Sequence, residues 1–256
     1  MGSYVTVRGV RTYYEEQGEG GPLLLLHGGG VTAESWAAQV PALAEHYRTY
    51  VPERRGHGRT HDVEGPITYQ VMADDMAAFI EELGLGPARV VGWSDGGVVA
   101  MHLALRHPEL VSKLALIGAT TSEGLTEGTQ SLVDGGEESR QALTAMFFGP
   151  YAALSPDGAE HFPVVLDKLM AMWRDGPQLK LEELQNITVP ALVMQGDRDG
   201  VPPEHSAAMM RAFPEAQLAV LPGTSHAVPI EKPGLVNTML LDFLSDEQQM
   251  RVFALS

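Results

Sequence analysis

The chain has 256 residues, and with 33 Asp and Glu against 17 Lys and Arg its formal net charge is −16. Hydrophobic residues make up 44% and charged residues 20%, which is ordinary for a globular protein and excludes a disordered or fibrous chain. The acidic excess argues against a nucleic-acid or anionic-membrane partner, because both need clustered Lys and Arg. The sequence has no cysteine, which excludes disulfides and thiolate nucleophiles.

Neither a membrane span nor a signal peptide is indicated. The longest apolar runs, at residues 23–26 and 114–117, have the length of strands and fall far short of the ~20 residues that cross a bilayer. The first residues lack the basic stretch and apolar core of a signal peptide. We therefore expect a cytoplasmic protein.

The predicted elements follow one another in a regular order. Residues 4–10 and 12–17 alternate in polarity like a hairpin with Gly9 near its turn. After them, short apolar strands alternate with amphipathic helices. The predicted strands are 23–26, 47–52, 89–92, 113–117, 191–194 and 217–221, and the predicted helices lie around 36–44, 69–83, 98–106, 204–213 and 235–244. This order predicts an α/β fold with a mostly parallel, twisted sheet covered by helices on both faces.

The alternation stops between residues 120 and 186. This stretch is rich in Gly and Glu at first and then has apolar residues at helical spacing. We interpret it as a small helical cap inserted into a core of residues 1–119 and 187–256, above the strand ends where ligands bind in open α/β sheets. An ordinary packed helical pair is the alternative. The apolar cap side chains expected at a medium-sized pocket are Met146, Phe147, Phe148, Met170, Met172 and Trp173.

The sharpest motif is Gly-Trp-Ser-Asp-Gly at residues 92–96, between a predicted strand and a predicted helix. An abrupt turn from strand to helix places Ser94 in a strained conformation, and Gly92 and Gly96 must be small to let the backbones pass. The hydroxyl of Ser94 then projects at the edge of the sheet, near the positive end of a helix dipole. This context predicts that Ser94 is a nucleophile.

A serine nucleophile needs a base, and the base needs a carboxylate that orients it. His226 follows the strand at 217–221, which puts it on the same edge of the sheet as Ser94. The loop after the strand at 191–194 offers Asp197 and Asp199, and we favour Asp199 because Asp197 suits a turn cap. Glu123 is a distant third candidate.

With these residues in place, the chain resembles the α/β-hydrolase superfamily over nearly its whole length. The order Ser94, Asp199, His226 matches the order of that fold. The loop at residues 27–30 is similar to the family's oxyanion loop, and residues 55–58 are similar to its turn after the fourth strand. The resemblance implies an oxyanion hole made by the backbone N–H groups of Gly29 and Asp95, with Gly30 as the alternative to Gly29.

The glycine loop, the elbow and the apolar cap are expected to line the substrate pocket. The expected substrate-binding residues are Gly30, Trp93, Phe147, Met170 and Trp173. The elbow resembles that of the valacyclovir-hydrolase-like group, in which an acidic residue at the position of Asp95 suits amino-acid esters. The alternative, which we favour, is that Asp95 supplies its N–H while its carboxylate contacts local backbone.

A nucleotide site is the rival interpretation of the glycine loop at residues 28–30, with Glu53 near the ribose position. It fails because Ala33 occupies the place of the third glycine. No His, Asp or Glu pair has convincing metal-ligand spacing. We therefore expect neither a cofactor nor a metal.

The motifs together predict a serine hydrolase that cleaves a small-molecule carboxylic ester or lactone through an acyl-enzyme. Dehalogenases and epoxide hydrolases of this fold carry an aspartate at the centre of the elbow, so Ser94 disfavours those reactions. Two alternatives stay open. One is a cofactor-free perhydrolase, C–C hydrolase or acyltransferase of the same fold, and the other is a non-catalytic ligand receptor.

Overall fold

The structure is a computed structural model, which describes residues 2–124, 126, 131, 133 and 136–246. Within these residues, eight strands form one sheet. The strands are β1 (Gly2–Val7), β2 (Val10–Gln17), β3 (Pro22–Leu26), β4 (Arg48–Pro52), β5 (Ala88–Trp93), β6 (Val111–Ile117), β7 (Ala191–Gly196) and β8 (Ala216–Leu221).

The sheet has the strand order β1-β2-β4-β3-β5-β6-β7-β8. β1 and β2 form the predicted antiparallel hairpin, and β2 also pairs antiparallel with β4. Every later pairing is parallel. Parallel strands have their carboxyl ends at one edge of the sheet, so the loops after β3, β5, β7 and β8 lie together at that edge.

Helices cover the two faces of the sheet. They are α1 (Val40–Leu43), α2 (Tyr69–Glu82), α3 (Asp95–Arg106), α4 (Gly136–Leu154), α5 (Phe162–Asp175), α6 (Pro203–Ala212), α7 (Val228–Glu231) and α8 (Pro233–Leu244). Leu24 and Leu26 of β3 pack in a core with α2 and α3, whereas Leu23 and Leu25 pack in a second core with α8. Successive side chains of a strand point to opposite faces, so a strand buried on both faces needs a continuous apolar run. The predicted α/β fold is confirmed.

The predicted helix around residues 36–44 is divided in two. Ala33–Trp36 forms a 3-10 turn, and the four-residue α1 follows it. Pro41 is near the start of α1, and because proline has no backbone N–H it cannot continue a hydrogen-bond ladder from the preceding turn.

Residues 120–186 contain α4, α5 and short 3-10 turns. Leu143 of α4 and Leu166 of α5 are buried in the same apolar core as residues of α2 and α3, so the two helices share a core with that face of the sheet. Part of the Gly- and Glu-rich start of this stretch lies outside the described residues. Among the described helices, none is long and apolar enough to cross a membrane.

Candidate active site

Ser94 lies in the turn between β5 and α3, with backbone angles φ 56° and ψ −123°. This is a strained conformation for a residue other than glycine. A Cβ on Gly92 would lie 2.3 Å from the carbonyl oxygen of Gly96, and a Cβ on Gly96 would lie 2.1 Å from that of Leu26. Both glycines are therefore required by the close approach of backbones that the sequence predicts.

Ser94, His226 and Asp199 come together at the carboxyl edge of the sheet. Oγ of Ser94 is 2.8 Å from Nε2 of His226, and Nδ1 of His226 is 2.9 Å from Oδ1 of Asp199. The side chain of Asp199 is fully buried, and its Oδ1 also accepts the backbone N–H of Val201 at 3.1 Å. This geometry lets His226 take a proton from Ser94 while Asp199 holds the imidazole by its other nitrogen.

The charge of the site favours a protonated His226. Burial by itself lowers the pKa of His226, but the hydrogen bond and charge of Asp199, with a smaller contribution from Asp95, raise it above the ordinary value. Asp199 therefore stabilises the imidazolium that forms when Ser94 loses its proton.

The other two acid candidates have structural partners. Oδ1 of Asp197 accepts the backbone N–H groups of Gly223 (2.6 Å) and Thr224 (3.2 Å), so Asp197 caps the loop that carries His226. Glu123 accepts the hydroxyl of Thr121 at 2.7 Å. Neither carboxylate contacts His226 among the described residues.

The loop after β3 lies against the nucleophile. A Cβ on Gly28 would lie 3.5 Å from Cβ of Ser94, and a Cβ on Gly29 would lie 2.1 Å from Oδ2 of Asp95. Asp95 is the first residue of α3, where a backbone N–H has no intrahelical acceptor. The two amides expected to form the oxyanion hole thus belong to segments in direct contact beside Ser94.

The carboxylate of Asp95 does not contact the local backbone, contrary to the interpretation that we favoured from the sequence. Oδ1 accepts the hydroxyl of Tyr69 at 2.8 Å, and Oδ2 accepts the indole N–H of Trp173 at 2.7 Å. Burial and the neighbouring Asp95 raise the pKa of Tyr69 well above its usual value, so its hydroxyl stays a donor. Asp95 therefore links α3 to α2 and to α5.

The predicted substrate-binding residues differ in position. Phe147 and Trp173 are half-buried with ring centroids 6.1 Å apart, and Cβ atoms added to Gly30 and Gly29 would meet their respective rings. Trp93 is buried, and its indole N–H donates to the carbonyl of His226 at 2.9 Å. Through this hydrogen bond Trp93 helps to fix the position of the loop that carries His226.

The other apolar residues of α4 and α5 that the sequence predicts at the pocket differ in exposure. Met170 and Met172 are buried in the core, whereas Met146 and Phe148 are 62% and 41% exposed. A small cavity lies beside Gly30, between the turn after β4 and the cap. Its lining residues are Gly30, Thr32, Gly56, His57, Gly58, Tyr151, Phe162, Val165 and Leu169.

Sequence reasoning missed residues that support the site. Gly118 follows β6 with φ 58°, and a Cβ there would lie 3.0 Å from both Oδ2 of Asp199 and the ring of His226. A glycine after an apolar strand is a weak signal for such a role. Tyr69 carried no signal, because its bond to Asp95 joins two helices 26 positions apart. The same holds for Arg54, whose side chain donates to the carbonyl oxygens of His27 and Gly28.

Comparison with known proteins identifies relatives over nearly the whole chain. The model of the alpha/beta hydrolase family matches residues 23–238. The chain belongs to this family. A putative carbamate hydrolase RutD of Azorhizobium caulinodans is 30% identical, over 93% of this chain and 96% of its own length. A non-heme haloperoxidase of Rhodococcus erythropolis is also 30% identical, over 92% and 96%.

Solved structures of this α/β hydrolase's relatives have the same fold. A meta-cleavage product hydrolase from Pseudomonas fluorescens has a TM-score of 0.78 at 26% identity, covering 94% of this chain and 97% of that one. The enol-lactonase from Burkholderia xenovorans has a TM-score of 0.72 at 26% identity, covering 94% and 99%. The activities of these relatives differ, so they support hydrolase chemistry in general and not one kind of bond.

Proposed function

We propose that this α/β hydrolase is a serine hydrolase that cleaves a small carboxylic ester or lactone through an acyl-enzyme. The observation that carries the proposal is the continuous hydrogen-bonded chain from Ser94 through His226 to Asp199, at 2.8 and 2.9 Å. A hydroxyl in contact with an oriented imidazole is the arrangement that nucleophilic catalysis by serine requires.

The reaction follows from this geometry. Oγ of Ser94 attacks the acyl carbon as its proton moves to Nε2 of His226, and the amides of Gly29 and Asp95 hold the oxyanion. The bond to the alcohol oxygen then breaks, and that oxygen takes the proton from His226. Water next attacks the acyl-enzyme, gives its proton to His226 and releases the acid, while Ser94 regains a proton.

The substrate is expected to be uncharged and partly apolar near the scissile bond. Phe147 and Trp173 lie against the loop that carries Gly29 and Gly30, and both residues are half-buried. These rings offer apolar surface to an acyl or alcohol group of medium size. The resemblance to an enol-lactonase supports the inclusion of lactones.

A panel of chromogenic esters and lactones of increasing chain length tests the proposal. We expect turnover that depends on chain length and that Ser94→Ala lowers by several decades, because triad losses elsewhere reach ~10⁶. Ser112→Ala is the matched control, since this serine lies at the amino end of β6, away from the triad. A fluorophosphonate probe should label Ser94 alone. Activity above a few per cent in Ser94→Ala contradicts the covalent mechanism.

Two of the relatives suggest other reactions as second candidates for the function of this triad. One curated relative is a haloperoxidase and one structural neighbour is a meta-cleavage product hydrolase. The same panel separates these reactions when it is extended by two assays. The first measures peracid formation from a carboxylic acid and hydrogen peroxide, and the second measures cleavage of a carbon–carbon bond beside a ketone. Faster turnover in either assay than with any ester or lactone overturns the ester assignment.

A further inference from the structure

Arg54 is fully buried directly behind the loop that carries the oxyanion amide of Gly29. Its Nη2 donates to the carbonyl oxygens of His27 (2.6 Å) and Gly28 (3.0 Å). Its Nε and Nη1 have no hydrogen-bond partner, and among the described residues no carboxylate lies within ion-pair distance of it. Burying a charge without an ion-pair partner costs stability, so stability alone does not explain this arginine.

The guanidinium remains a cation. Burial lowers the pKa of Arg54 to about 10, and the charge of nearby Asp95 and the hydroxyl of Tyr69 oppose that shift. This pKa is still well above neutrality, so a positive charge lies under the loop at physiological pH.

His27 shares the same carbonyl and fixes the arrangement. Its Nδ1 is 2.7 Å from the carbonyl oxygen of Gly28, and its Nε2 is 3.3 Å from the backbone nitrogen of Arg54. Nδ1 also lies 3.2 Å from Nη2 of Arg54, which is a donor whose shorter contacts are with the two carbonyl oxygens. Since Nε2 faces a backbone N–H and Nδ1 is closest to a carbonyl oxygen, we assign the proton to Nδ1. Burial, with the charge of Arg54, lowers the pKa of His27 well below its usual value, which keeps the ring neutral.

The two donors orient the peptide that joins Gly28 to Gly29. This peptide is trans, and in a planar trans peptide the C=O and N–H point in opposite directions. With the carbonyl of Gly28 held by His27 and Arg54, the N–H of Gly29 points the opposite way, away from these two donors. A carbonyl that accepts a charged donor also makes the N–H of its own peptide a stronger donor, since chained hydrogen bonds polarise one another.

Arg54 also offsets the negative charge of Asp95 beside the expected oxyanion hole. A Cβ on Gly29 would lie 2.1 Å from Oδ2 of Asp95, so this carboxylate is close to the place where negative charge develops on the substrate. A carboxylate there opposes an oxyanion, and the cation of Arg54 offsets it.

We infer that Arg54 is a positioning residue of the oxyanion hole, which orients the Gly29 amide and neutralises the charge of Asp95 during acyl transfer. This inference rests on the proposed function and deepens it. Arg54 is not a catalytic residue, because it acts through the loop and touches no reacting atom.

The test measures the rate at which a fluorophosphonate labels Ser94, a reaction independent of ester preference. Oγ of Ser94 bonds to phosphorus as fluoride leaves, and His226 takes the proton. We expect Arg54→Met to slow labelling and to lower kcat for the best ester by about 10- to 100-fold, because it weakens a donor whose complete loss costs 10²–10³. KM should change by less than about threefold. Arg54→Lys, which keeps the charge, should lose less.

Two further variants separate positioning from general damage. Arg55→Met removes the neighbouring buried guanidinium, which pairs with Asp75 through two hydrogen bonds. It should lower the melting temperature and leave the labelling rate of the folded protein unchanged. Asp95→Asn should speed labelling more in the Arg54→Met background than in the wild type, which a purely structural role of Arg54 does not produce.

Each outcome decides for or against the inference. Three results would each overturn it. In the first, Arg54→Met slows labelling less than about threefold. In the second, it raises KM at constant kcat, and in the third, the effects of Arg54→Met and Asp95→Asn are additive. If Arg54→Met does not fold, Arg54→Lys decides. Lysine lacks the planar fork of arginine, so it should still slow labelling by about threefold or more, and a wild-type labelling rate overturns the inference. A wild-type protein that is not labelled at Ser94 overturns the proposed function and this inference together.

Discussion

Replacing Asp199 with Asn tests the orienting carboxylate most directly. The substitution keeps the shape of the side chain and removes its charge, so its effect depends on which amide atom faces His226. The hydrogen bond from the N–H of Val201 to Oδ1 favours oxygen on that side. In that orientation His226 keeps the correct tautomer and loses only the charged acceptor at 2.9 Å.

The magnitude follows from these two orientations. A charge-assisted hydrogen bond is worth about 1.5–3 kcal/mol, which is roughly 10- to 150-fold at 1.4 kcal/mol per decade. If the amide NH₂ faces His226 instead, the wrong tautomer forms, and the loss approaches the ~10⁴ that the same change causes in a serine protease. We therefore expect Asp199→Asn to lower kcat by about 10- to 150-fold in the first orientation and by up to ~10⁴-fold in the second.

The pH profile provides an independent readout. The pKa of His226 is raised above its ordinary value by Asp199, and the unprotonated ring is the base, so kcat/KM of the wild type should fall as pH decreases through that raised pKa. Asp199→Asn removes the charge that raises this pKa. The acid limb of the variant should therefore lie at lower pH than that of the wild type.

Asp197→Asn is the matched control two residues away. Its amide oxygen can still accept the N–H groups of Gly223 and Thr224, so kcat should change by less than about threefold. Steady-state kinetics between pH 5 and 9 on both variants measure these effects. If Asp197→Asn lowers kcat more than Asp199→Asn does, the assignment of Asp199 as the orienting acid is wrong.

Three other predictions concern the surroundings of the nucleophile. Gly96→Ala places a Cβ 2.1 Å from the carbonyl oxygen of Leu26, so soluble expression and the melting temperature should fall sharply, and a variant as stable as the wild type contradicts the steric argument. Trp93→Phe removes the donor to the carbonyl of His226 and should lower kcat by about 2- to 12-fold with little change in KM, since a net hydrogen bond is worth about 0.5–1.5 kcal/mol; a change confined to KM would mean that Trp93 binds substrate. Both oxygens of Asp95 already accept hydrogen bonds, so an α-amino ester should react within tenfold of its des-amino analogue, and a larger preference that Asp95→Ala abolishes would show that this carboxylate binds an amino group.

The sequence by itself determined the order of the elements and the chemistry of the nucleophile. Apolar runs such as β3, alternating with helices, are typical of a parallel sheet buried on both faces, and the glycines around Ser94 have a local steric cause, so both can be predicted without coordinates. The positions of Asp199 and His226 after successive strands followed from the same rule, because parallel strands present their ends at one edge.

Tertiary structure decided the contacts between segments far apart in the chain. The carboxylate of Asp95 meets Tyr69 and Trp173, 26 positions before it and 78 after it, and no local pattern encodes either pairing. The burial of Arg54 could not be predicted from the sequence either, since an arginine after a strand is usually solvated. Only the packing of the glycine loop against it buries the charge. Side-chain periodicity reports which face of an element is apolar, whereas the partner of a buried polar group is fixed only when the elements have packed.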